Sequence, residues 1–220
     1  MDARSTSSST SRRSSQTLAR WLATGVATIS LLGLVVELCW WAASGDPVIG
    51  ALIGPFSLSE EANVPTWFAS SLLLGCAIAA GSIDDRVGSR HWWAITIGLG
   101  YASLDEAAEL HEHLGGHLDT SGILYFDWVI PAAAIVIVLA AIFLPFIRSL
   151  ASPLRGRLVA AAVIFVGGAL VMELPLGWWT DHVGEDSLGY ALIDWFEETL
   201  ELAGAALALW ALVEHRREVA

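Results

Sequence analysis

Apolar stretches of about twenty residues recur along this chain of 220 residues and constrain its fold more than any other feature. A bilayer core of about 30 Å takes roughly 20 helical residues to cross, and backbone groups in lipid must be satisfied internally. Six such runs fall at about 18–43, 65–82, 91–113, 126–147, 156–178 and 189–213. With 55% hydrophobic residues and a mean hydropathy of +0.60, the chain reads as all-α. It is a polytopic integral membrane bundle of six transmembrane helices over residues 18–213, with the lipid bilayer as its first partner.

The segments outside the bundle are short. Residues 1–17 are mostly Ser and Thr with Arg4, Arg12 and Arg13, lack apolar periodicity, and are expected to form a disordered cytoplasmic tail. Residues 214–220 make a second cytoplasmic tail. Arg12-Arg13 before an apolar run has the look of a twin-arginine signal. The run that follows is too long for a signal core and carries Glu37, so it is expected to stay as the first helix.

Charge sets the orientation. Arg20, then Arg86 and Arg90, then Arg148, Arg155 and Arg157, then Arg216 and Arg217 occupy the two termini and alternate connections. The other connections carry Asp46, Glu60, Glu61, Asp119, Asp181, Glu185 and Asp186, and no Arg. An excess of basic residues marks the cytoplasmic side, so both termini are expected in the cytoplasm, with the protein in the cytoplasmic (plasma) membrane. Tryptophan agrees: Trp40, Trp41, Trp67, Trp128, Trp178, Trp179 and Trp195 fall at outer ends, and Trp21, Trp92, Trp93 and Trp210 at inner ends. The eleven basic residues are all Arg, which excludes a lysine Schiff base or lysine nucleophile, and a net charge of −12 argues against nucleic acid as a partner. Cys39 and Cys76 fall at different depths, so they read as small buried apolar residues rather than a disulfide.

Against this apolar background two acidic strings stand out, sharing the pattern acid-Glu-x-x-Glu-Leu at 105–110 and 197–202. On a helix of about 3.6 residues per turn, Asp105, Glu109 and Glu112 share one face, with Glu106 and His113 on its flank and His111 pointing away. Asp194, Glu197, Glu198 and Glu201 fall within about a third of the circumference. The strings sit late in the third span and early in the sixth, which is one depth in antiparallel helices. Glu37 in the first span and Glu173 in the fifth reach the same level, the outward half of the membrane. A carboxylate facing lipid costs on the order of 3 kcal/mol, so these acids are expected to face one another or water.

Three readings follow. The acids line a wet vestibule; or they bind a divalent metal ion, with catalysis as an extension; or they serve a proton- or cation-coupled transporter or channel. The metal reading is preferred, with Glu109, Glu112, Glu197 and Glu201 as first ligands, Asp105, Glu173 and Glu37 next, and His113 as a nitrogen ligand. Oxygen-rich donors suit Fe, Mn, Mg or Ca, and Zn if histidine joins. The Glu-x-x-His spacing of di-iron bundles is absent. His113 and His117 flank Gly115-Gly116 and read as loop, and Asp84 and Asp85 beside Arg86 read as a cytoplasmic turn. The sequence fixes neither the metal, the substrate nor the oligomeric state.

Overall fold

Long leucine-, isoleucine- and alanine-rich runs must satisfy their backbone groups internally, and every described span is helical, with Pro145 tolerated inside its helix. The computed structural model describes residues 3–44, 46–83, 88–111, 118 and 120–219, with side chains from residue 14 onward. Its helices are α1 (Ala3–Ala42), α2 (Pro47–Ile53), α3 (Val64–Gly81), α4 (Ser89–Ala108), α5 (Val129–Ser149), α6 (Ser152–Val166), α7 (Glu173–His182) and α8 (Leu188–Val219). A π-helical segment, Gly167–Met172, joins α6 to α7, and there are no strands among the described residues. Among the described residues, four stretches are long and apolar enough to cross a membrane: Ser14–Ala42, Val64–Gly81, Val129–Ser149 and Ser152–His182.

Helix α8 is central. It packs against α1, α3, α6 and the π-helical segment, whereas α4 packs chiefly on α3. The seam between α3 and α8 is built from small residues, among them Ala69, Cys76, Ala80, Ala205 and Ala206, all buried. Small side chains let backbones approach, which drives helix association where lipid is as apolar as leucine. Hydroxyls add glue between α3 and α4: Ser70 Oγ donates to the Ser103 carbonyl and Ser103 Oγ to that of Ser70, each at 2.8 Å. The outer surfaces are apolar instead. Ile135, Ile137, Val138 and Ile142 of α5 are all exposed, as expected of a face that meets lipid.

Both chain ends lie together. Trp210 Nε1 donates to Ser15 Oγ at 3.1 Å and Arg217 Nη1 to Ser14 Oγ at 3.3 Å, while higher up Trp195 Nε1 donates to the Ser30 carbonyl at 2.7 Å. These contacts run α1 and α8 antiparallel. Residues 3–17, expected to be disordered, continue α1, and Ser14 and Ser15 at its inner part dock on α8. Trp195, Trp210 and the buried Trp92 also depart from a simple interfacial belt, since they pack or bond within the bundle. The core near the chain ends closes on Trp92, Phe146, Leu154, Ala211 and Leu212.

Candidate functional site

The end of the bundle opposite the chain termini is where the acids gather, and loop chemistry shapes it. Asp46 caps α2 by accepting from the Val48 and Ile49 amides, and Asn63 caps α3 by accepting from Thr66 N at 3.1 Å. Asn63 Nδ2 also donates to the Ser57 carbonyl at 2.7 Å, tying the loop 57–63 down over the helix ends. Two cavities lie at this end among the described residues. The outer, about 1380 Å³, lies among the end of α1, α2 and its loop, and the turn before α8. The inner, about 640 Å³, lies between α4, the π-helical segment, α7 and α8. Ser59, Glu61 and Tyr190 belong to the walls of both.

The structure brings Asp105, Glu173, Glu197 and Glu201 to the wall of the inner cavity, together with Glu106, Asp194 and Glu198. The position of α8 depends on Gly168. A Cβ at that glycine would stand 2.8 Å from both the Glu197 carbonyl oxygen and Glu201 Cγ, so only a residue without a side chain lets the acidic turn pack here. A π-helical turn widens the helix locally at the same place, a distortion that recurs at functional sites. Gly204 plays a similar part against the Phe165 backbone one helical turn further on.

On the opposite wall, helix α4 stops earlier than the sequence suggests. Glu109 adopts φ 53° and ψ 38°, the left-handed conformation that ends helices. Two corrections follow. Glu109 leaves the helical face shared with Asp105 and is not part of the inner wall, and His111 folds back instead of pointing away. His111 Nδ1 lies 3.2 Å from Asp105 Oδ2, and its ring packs on Trp128 with centroids 4.9 Å apart. Wheel arithmetic fails here because it assumes a helix that continues through Glu109.

The remaining expected ligands fall elsewhere. Glu37 is buried beside the outer cavity and accepts from Ser57 Oγ at 2.6 Å. Glu112 and His113 lie outside the described residues, as do His117, Asp84, Asp85, Arg86 and Asp119. The cysteines are both free, Cys76 buried against the Ala205 carbonyl and Cys39 exposed, contrary to its reading as a buried apolar residue. Its position near the end of α1 leaves it on an outer face.

One wall residue escaped the sequence reading altogether. Asp127 is buried and accepts from the Leu118 amide at 2.5 Å. Its signal was present, an acid between Phe126 and Trp128 at the start of an apolar span. Of the aromatic lining, Tyr125 and Tyr190 drew no reading and Trp128 was read only as an outer-end residue.

The electrostatics of the inner cavity are one-sided. Among the described residues its wall carries no Arg. Glu197 is 6% exposed, and its Oε2 has no hydrogen-bond partner among the described residues. Asp194 Oδ2 and Asp105 Oδ1 are buried in the same condition. A buried carboxylate oxygen without a partner costs about 1–3 kcal/mol or more, so the cavity is built to receive positive charge or protons. No three His, Cys, Asp or Glu side chains among the described residues are grouped closely enough to hold a metal ion.

Residues 12–216 match the profile of a family described as a domain of unknown function (DUF8692). No curated protein and no solved structure matches the chain.

Proposed function

Taking the chain as the member of DUF8692 that this match makes it, we propose a six-span cytoplasmic-membrane protein that captures a cation in the inner cavity. The observation that carries this reading is Glu197, more than nine-tenths buried, with Oε2 unpartnered at a wall that holds further acids and, among the described residues, His111 but no Arg. The cation would compensate carboxylate oxygens that the protein leaves unmatched.

The orientation completes the proposal. Helices α4 and α8, of 20 and 32 residues, are too charged to pass as simple apolar spans, yet at 1.5 Å per residue they reach about 30 and 48 Å. Their charges lie at the ends or in the cavity. Arg148, Arg155, Arg157, Arg216 and Arg217 fall at the end where both termini meet, which supports a cytoplasmic location for that end and an outward cavity.

A divalent metal ion is the inorganic occupant that oxygen donors suit, with Mn, Fe, Mg, Ca or Zn as candidates. Direct coordination would draw Glu197, Glu201, Asp105 and Glu173 closer together, or enlist Glu112 and His113. A second reading, cation- or proton-coupled transport, is favoured by the wall that the two cavities share at Ser59, Glu61 and Tyr190. The core around Trp92, Phe146 and Leu212 closes the cytoplasmic side, so transport requires a second conformation.

The test is a melting series on the full chain in nanodiscs, with a panel of inorganic and organic cations at about pH 5 and pH 8. Binding needs ionised carboxylates, so a bound cation should raise the melting temperature at the higher pH and lose that effect on acidification. Glu197→Gln should abolish the response. A wild-type protein indifferent to every cation, or a variant that responds equally, overturns the proposal.

A further inference from the structure

We infer that the inner cavity is shaped for an organic polycation, a linear aliphatic chain carrying two or more ammonium groups, an inference that rests on the cation-binding reading above. Three observations point there together. The unpartnered buried oxygens are distributed: Asp105 Oδ1 on α4, Asp194 Oδ2 and Glu197 Oε2 on α8. Asp194 and Glu197 are three residues apart, about 5–6 Å between Cβ atoms on one helical face, while Asp105 approaches from a helix whose main partner is α3. No three acids among the described residues are grouped as a single ion would require.

Separate acceptors call for separate positive charges. The same cavity is also lined by Leu73, Val136, Phe165 and Leu170, apolar surface that suits methylene groups better than a hydrated inorganic ion. Tyr125, Trp128 and Tyr190 add aromatic faces, which attract ammonium groups. The volume, about 640 Å³, lies within the range of small-molecule sites and far exceeds the ~30 Å³ share of one water. The outer cavity, bordered by Glu60, Glu61, Glu185 and Asp186, would concentrate such a cation at the entrance.

The experiment is calorimetric titration of the full chain in nanodiscs with 1,4-diaminobutane, spermidine, n-butylamine and Mn²⁺. The diamine and triamine should bind at least about tenfold more tightly than the monoamine, since a second charge-assisted hydrogen bond contributes that much. Glu197→Gln and Asp194→Asn, each verified as folded by its melting curve, should weaken diamine binding about tenfold or more. Equal binding of butylamine and diaminobutane overturns the inference. Binding of Mn²⁺ without the amines overturns it too, but leaves the cation site standing. Binding of none of the four overturns the inference, and the melting series over the full cation panel then decides the cation reading separately.

Discussion

Replacing Gly168 with alanine tests how the acidic turn of α8 is held. The added Cβ would stand 2.8 Å from the Glu197 carbonyl oxygen, 2.8 Å from Glu201 Cγ and 3.2 Å from the Glu201 amide nitrogen. Ordinary contact begins at 3.4 Å, so the helices must part by about 0.6 Å, the difference between 3.4 and 2.8. Two of the three atoms are backbone and cannot rotate away. Overpacking of this kind costs about 1–3 kcal/mol, against a gain of up to about 1 kcal/mol from replacing glycine in a helix. Gly167→Ala is the matched control: it sits next in the chain and a Cβ there meets nothing within 4 Å. Because both share the backbone term, their difference isolates the contact, and Gly168→Ala should be less stable by about 1–3 kcal/mol. Chemical unfolding in detergent measures it, and cation titration should show weakened binding as Glu197 and Glu201 move. Equal stability of the two variants would refute the close approach of α8 to the π-helical segment.

Further outcomes follow from single contacts. Ser57→Ala removes the hydroxyl that donates to buried Glu37 at 2.6 Å and should cost about 1–3 kcal/mol in unfolding free energy; an unchanged midpoint would mean that Glu37 does not depend on this bond. Glu109→Gly relieves a left-handed residue that is not glycine and should stabilise the fold by about 1 kcal/mol while cation binding is retained. Loss of binding in that variant would return Glu109 to the ligand set. In a Cys39→Ser background, cysteine at Ser121 or Glu185 should react with an impermeant thiol reagent added to intact cells, and cysteine at Ser149 should not. The reverse labelling pattern would place the cavity on the cytoplasmic side.

What the sequence determined by itself is the solvent and the secondary structure. Runs of apolar residues can be satisfied in lipid only as helices, and that constraint is local enough to read residue by residue. It also marked the acids of 105–109 and 194–201 as too costly to face lipid. What the tertiary structure decided is which acids share a wall. The left-handed turn at Glu109 removes that residue from its expected face and carries His111 back to Asp105, and no periodicity announces where a helix stops. Glu37 is held by a partner twenty residues away, Ser57, in a loop that Asn63 ties down. Asp127, which the pattern put at the start of the fourth span, lies just ahead of α5 and joins the inner wall from there. Burial cost is a property of a residue and its segment, and can be read from the chain. The direction in which a buried carboxylate points is a property of its neighbours, and only packing fixes it.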